Sequence, residues 1–130
     1  LRVTTPAVLE AALMALAGET NTGLVAALHA AGLCAVGLTG CDAGLLRARR
    51  IPELGAVGGA PAADAALCRT LLGAGYTPVI ASLGMDVEDA AILNINADQA
   101  AAEAVCTALR SAQQRTVALS ALSGAEDFVS

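Results

Sequence analysis

Asn94-Ile-Asn-Ala-Asp98 is the stretch that decides the fold of this chain. It closes Ala91–Asn96, which reads as a strand, and it opens Ala97–Arg110, where Ala101, Val105 and Leu109 recur at helical spacing. On a strand, positions 94 and 96 point to one side, because side chains alternate with period two. Asp98 then falls in the first helical turn, where backbone N–H groups lack partners. A strand end running into a helix N-terminus is a common place for an α/β protein to hold a small anionic ligand.

The same alternation of strand and helix extends upstream. Thr77-Pro-Val-Ile-Ala-Ser-Leu83 is the clearest core strand, with Pro78 near its start, where a missing N–H costs least. Gly84–Asp89 is a polar, acidic hairpin or loop. Cys34–Leu38 reads as a buried strand and Thr39–Gly44 as a tight turn. Leu45–Arg50 and Leu54–Gly58 form two short strands broken by Pro52. Pro61 opens a helix carrying Leu67, Leu71 and Leu72, which stops at Gly73 and Gly75.

Nearer the start, Thr5 and Pro6 form an N-cap and first helical residue, followed by Leu9, Leu13 and Leu16, with Gly18 as the stop. A second helix runs from Thr20–Asn21 through Leu24, Val25 and Leu28 to Gly32. Arg115–Leu122 is a last strand, and Ser123–Ser130 a frayed end. Strands separated by helices predict an α/β three-layer sandwich with a mostly parallel sheet. No repeat or linker divides the chain, so residues 1–130 are expected to be a single domain.

Composition narrows the function classes. The 130 residues are 56% hydrophobic but only 2% aromatic, so the core must be built from Leu, Val, Ile and Ala. A net charge of −5, with no basic stripe interleaved with aromatics, argues against nucleic acid. Cys34, Cys41, Cys68 and Cys106 form no Cys-x-x-Cys pair, and His29 is the single histidine, which argues against a zinc site. Reduced thiols in a cytoplasmic protein are the expectation. No signal peptide is visible, and no apolar run is long enough and free enough of Gly and polar residues to suggest a membrane span. The chain has no lysine, so phosphate chemistry would lack a mobile ammonium.

Several segments, taken in order, resemble the N-acetylglutamate kinases of the amino-acid kinase family. Leu1-Arg-Val-Thr-Thr-Pro6 is similar to the family's Arg-Val-Thr segment, and Asn21-Thr-Gly-Leu-Val25 to the start of its next helix. Ala35-Val-Gly-Leu-Thr-Gly-Cys-Asp-Ala-Gly-Leu45 resembles Ala-Val-Gly-Leu-Ser-Gly-x-Asp-Gly-Gly-Leu. Ala74-Gly-Tyr-Thr-Pro-Val-Ile80 resembles the strand that leads back to the active site, and Asn94–Asp98 the substrate-site motif.

The resemblance implies ATP-dependent phosphorylation of the γ-carboxylate of N-acetyl-L-glutamate in arginine biosynthesis, with Mg²⁺ accompanying the ATP. It implies that Arg2, Asn94 and Asn96 bind the substrate and that Asp98 is the catalytic aspartate that positions the lysines. It also implies a homodimer through the helix at 6–17. The residue types suit those roles: Arg2 can grip a carboxylate with a two-point fork, and asparagine amides can donate without adding charge.

Other features depart from the family pattern. Its first lysine and glycine-rich loops would lie upstream of Leu1, and its second lysine in a C-terminal nucleotide-binding half. Ala121 replaces an aspartate, and Cys41 stands where lysine is common. The expectation is a partial domain with the acyl-amino-acid side and little of the ATP side, inactive alone. A degenerate, non-catalytic binding module of the same fold, or a remnant that folds only with a partner, are the alternatives.

Each residue also has a purely structural reading. Asn94 and Asn96 could cap a strand end and a helix start, Asp98 could complement the helix dipole, and Arg2 could be solvated. For the cluster Arg47, Arg49 and Arg50, a solvated face or ion pairs are expected. His29 should pack or face solvent. Cys41, beside Asp42, should be unreactive.

Overall fold

The computed structural model describes residues 2–109 and 117–118. The first helix, α1 (Pro6–Ala12), starts as its sequence dictates: Thr5 is extended, its Oγ1 accepts from the Val8 N–H at 3.2 Å, and Pro6 occupies the first turn. Gly18, however, does not end a helix. The chain continues through a π-helical segment, Leu13–Thr20, into α2 (Asn21–Ala30), and the break comes at Gly32, where φ is +91°. A glycine stops a helix by entering the left-handed region, and Gly18 does not enter it. The resulting helical stretch, Pro6–Ala30, is 25 residues long and, by length and composition alone, apolar enough to cross a membrane. That corrects the expectation that no such run exists.

The strands are β1 (Ala35–Thr39), β2 (Leu46–Arg50), β3 (Val57–Ala63), β4 (Thr77–Ala81), β5 (Leu83–Asp86), β6 (Ile92–Ile95) and β7 (Val117–Ala118). Helix α3 (Ala66–Gly73) lies between β3 and β4, and α4 (Ala97–Leu109) follows β6. Strands β1, β4 and β7 form a parallel sheet in the order β1-β4-β7, and β2, β3, β6 and β5 close into a small barrel. Among the described residues, β1–β4, β4–β7, β2–β5 and β3–β6 pair in parallel, while β2–β3 and β5–β6 are antiparallel. The mixed α/β architecture with a parallel sheet is the expected class; the separate barrel was not anticipated.

Leu54 ends a 3-10 turn (Pro52–Leu54) instead of opening a strand, and residues 84–86 belong to β5 instead of a loop. Two further assignments change for identifiable reasons. Thr77–Leu83 is not one strand, because it bends at Ser82 and leaves the parallel sheet as β4 to enter the barrel as β5. Pro61 does not open a helix but lies inside β3. Arg47 pairs with Ala62 and Arg49 with Gly59, so two residues, Ala60 and Pro61, stand opposite Ala48 alone. In such a bulge a proline gives up no ladder hydrogen bond. Ala60 takes the positive φ of +46° that the extra residue requires.

The core joins the two halves. Leu45, Leu46, Ala48, Cys68, Ile80, Leu93 and Ile95 form one buried cluster, with Leu38 packed against it. Ala12 and Leu16 pack on Ala81 of β4, which fixes the N-terminal helix to the parallel sheet. Asn21 adds a polar clamp, since its Nδ2 donates to Val79 O at 3.1 Å and to Leu38 O at 3.4 Å across β1 and β4. A side chain at Gly37 would overlap Asn21 Oδ1, so the strand must be bare there.

Candidate functional site

Strand β6 sorts its side chains as the alternation requires. Leu93 and Ile95 point into the core, while Asn94 lies half-buried on the opposite side and Asn96 half-buried just past the strand. The Asn94 backbone N–H donates to Ala56 O at 2.8 Å, and its Nδ2 donates to Thr4 Oγ1 at 3.3 Å. Thr4 is fully buried, and its backbone is tied twice, with N–H to Leu54 O at 2.7 Å and C=O to Ala56 N–H at 2.8 Å. Gly55, in between, has φ +74°, and the Thr4 carbonyl oxygen occupies the place where a Cβ would project. The segment 2–4 is thereby threaded against the loop before β3. Arg2 is exposed, two residues from the threonine that touches Asn94.

Asn96 ends the strand and starts the helix. Its Oδ1 accepts from the Gln99 N–H at 3.0 Å and its C=O from the Ala100 N–H at 2.9 Å, so it caps α4. Asp98 is exposed in the first turn of α4. The fold therefore brings the Arg2 segment beside Asn94 through Thr4, and places Asn96 just past β6 at the entrance of α4. Asp98 stands on α4 itself. Amide N–H groups of Asn94 and Asn96 and the positive end of α4 are donors. Such a set can hold a carboxylate.

The remaining candidates resolve differently. Arg49 pairs with Glu88 at 3.5 Å, and Arg50 pairs with Asp86 at 3.2 Å and Asp89 at 3.5 Å, so these two members of the basic cluster are matched by the acidic hairpin. In the turn after β1, Asp42 Oδ2 accepts from Thr39 N–H at 2.6 Å and Oγ1 at 3.1 Å, and Cys41 N–H donates to Thr39 Oγ1 at 3.1 Å. These bonds are internal to the turn. Burial pushes the Cys41 thiol above its usual value; the Thr39 hydrogen bond opposes this and the Asp42 charge adds to it. His29 is exposed on α2. Ala121 lies outside the described residues. Among the described residues no three His, Cys, Asp or Glu side chains gather as metal ligands.

Sequence reasoning passed over two residues. Thr4 figured only within the Leu1–Pro6 segment, and only a long-range contact reveals its role. Asn21 carried a usable signal: an asparagine among the apolar residues of a helix needs a partner when buried.

The amino acid kinase family model matches residues 1–111. The chain belongs to the amino acid kinase family. This family chain is similar to the acetylglutamate kinase of Geobacillus kaustophilus, 47% identical over 115 residues, covering 87% of this chain and 44% of that protein. It is also similar to the acetylglutamate kinase of Methanopyrus kandleri, 45% identical over 109 residues, covering 78% of this chain and 44% of that one. The chloroplastic acetylglutamate kinase of Arabidopsis thaliana is 44% identical over 106 residues, covering 79% of this chain and 30% of that protein. The chain thus spans under half the length of each.

Proposed function

We propose that this chain forms the acyl-amino-acid-binding part of an acetylglutamate kinase, the enzyme that phosphorylates the γ-carboxylate of N-acetyl-L-glutamate in arginine biosynthesis. The observation that carries the reading is the Thr4–Asn94 hydrogen bond, which joins the Arg2 segment to the strand that leads into Asn96. Arg2 would grip one carboxylate of the substrate through its planar fork. Asn96, with its oxygen committed to the helix, would offer its two amide N–H donors. The N-terminus of α4 would favour the substrate's negative charge. Asp98, in the first turn of that helix, would orient cationic groups supplied from elsewhere.

ATP with Mg²⁺ fits the described residues poorly. Phosphoryl transfer needs cationic groups on the moving phosphoryl and oxygen ligands for the metal. The chain has no lysine, its described residues gather no acidic metal cluster, and the turn at 39–44 spends its polar groups internally. The reading therefore assigns the phosphoryl acceptor to this chain and no step to the nucleotide. The lysine-free composition equally favours a second reading, a non-catalytic relative that kept the ligand site.

A homodimer through the helix at 6–17 belongs to the same proposal. Leu16 is used against the sheet, but Met14 remains 64% exposed on the same helix. Titration calorimetry of the 130-residue chain tests the function. N-acetyl-L-glutamate should bind, ATP should not, and trapping of acyl phosphate with hydroxylamine should give no product. The same sample should sediment at twice the monomer mass. Tight ATP binding, or turnover by the chain alone, would refute this division of labour; silence with N-acetyl-L-glutamate would refute the site.

A further inference from the structure

We infer that Thr4 is a positioning residue: it sets the carboxamide of Asn94 in a fixed frame with the segment that carries Arg2. The inference rests on the acetylglutamate reading above and adds to it a residue that touches no substrate. Three hydrogen bonds form a closed ring. The Ala56 N–H donates to Thr4 O at 2.8 Å, the Asn94 N–H donates to Ala56 O at 2.8 Å, and Asn94 Nδ2 donates back to Thr4 Oγ1 at 3.3 Å. A fourth bond, from Thr4 N–H to Leu54 O at 2.7 Å, holds the ring to the loop before β3.

The ring has no slack at Thr4. Its side chain is 1% exposed, and its carbonyl fills the space that a side chain at Gly55 would need. Asn94, by contrast, is half-buried within β6, and its terminal torsion is soft. Without the threonine hydroxyl the carboxamide could turn while the backbone stayed in place. With it, a ligand that reaches both Arg2 and Asn94 meets groups already oriented, and loses less ordering entropy on binding. No apolar residue can do this, and serine can.

Thr4→Val removes one oxygen at nearly constant volume and leaves both backbone bonds. The loss of one oriented contact should raise the dissociation constant for N-acetyl-L-glutamate by about fivefold to tenfold, whereas Thr4→Ser should stay within about twofold. The second readout needs no ligand: in ¹⁵N-labelled chain, the Asn94 side-chain amide pair should shift and exchange faster in Thr4→Val but not in Thr4→Ser, with the Asn21 amide pair unmoved in both. Asn94 signals that stay put in Thr4→Val overturn the inference, as does wild-type affinity in that variant. Should the wild-type chain fail to bind N-acetyl-L-glutamate, the functional reading falls, and the amide signals alone still decide whether Thr4 orients Asn94.

Discussion

Asn21 and Gly37 form the pair whose coupling can be worked out from the structure. Asn21 is buried, and its Nδ2 bonds Val79 O at 3.1 Å and Leu38 O at 3.4 Å. Asn21→Ala removes both donors. At about 1 kcal/mol per net hydrogen bond, that is a loss of about 2 kcal/mol. The better helix propensity of alanine offsets up to about 0.7 kcal/mol of it. Gly37→Ala is unfavourable for a different reason, because its new Cβ would overlap Asn21 Oδ1 and sit 3.3 Å from Val25 Cγ2. Overpacking of this kind costs about 1–3 kcal/mol. Alanine's advantage over glycine inside a strand offsets about 0.5–1 kcal/mol. In the double variant the overlap with Asn21 is gone, and the backbone gain is set only against the 3.3 Å approach to Val25 Cγ2.

The double variant should therefore lie close to Asn21→Ala in stability, with a favourable coupling of about 1–3 kcal/mol from relief of the Asn21 overlap. Urea unfolding of the four chains, compared by midpoint at constant slope, measures it. Additivity within about 0.5 kcal/mol would show that Asn21 and Gly37 do not share space, and would refute the clamp between helix and sheet.

Two further predictions follow from the site and its surroundings. Asn96→Asp should keep the cap on α4, because a carboxylate accepts from Gln99 N–H as the amide oxygen does, whereas Asn96→Ala should lose about 1 kcal/mol of stability. Both should lose N-acetyl-L-glutamate binding in calorimetry, Asp through repulsion and Ala through the missing donors; retained binding in Asn96→Asp would remove Asn96 from the site. Stability should also fall at alkaline pH. Burial raises the Cys68 thiol, and burial with the Asp42 charge raises Cys41, so the unfolded chain loses these protons at lower pH than the folded chain does. The contribution is intact below the ordinary thiol value of 9.0 and disappears as pH rises through the raised folded values. Urea midpoints should hold from neutrality to about pH 8 and then drop, less steeply in Cys41→Ser/Cys68→Ala; a flat profile in the parent chain would contradict the assignment.

How much the sequence revealed depended on the range of the interaction. The β6–α4 junction was readable because both periods are local: Leu93 and Ile95 alternate with the asparagines, and Asn96 is a favoured cap type. The stop at Gly32 and the turn at 39–44 were readable for the same reason. Gly18 misled because propensity cannot say whether a glycine enters the left-handed region; docking of Ala12, Leu16 and Asn21 on the sheet carries the helix through it. Pro61 misled because a bulge depends on the partner strand, whose register no local pattern encodes. The pairing of Arg49 and Arg50 with residues nearly forty positions away was equally out of reach. Asn94 and Asn96 were identifiable as candidates, but Thr4, ninety residues away from Asn94, was not.

The two asparagines are committed in opposite senses, and on the proposed reading this constrains what a ligand can be. Asn96 gives its oxygen to the helix and keeps two donors, while Asn94 gives a donor to Thr4 and keeps its oxygen and a second N–H. The proposed site adds the Arg2 guanidinium and the first N–H groups of α4, and Asp98 is the acid in that first turn. A zwitterionic amino acid would add a positive charge beside the Arg2 guanidinium of the proposed site and the positive end of α4. An acylated amino acid has no such charge: it offers carboxylates to the donors and an amide N–H to the Asn94 oxygen. On the proposed reading N-acetyl-L-glutamate should therefore bind better than glutamate, because its acyl amide brings no charge to the site. Competition calorimetry with free glutamate would expose an error, since equal affinity for the two would mean that the acyl group is not what the site recognises.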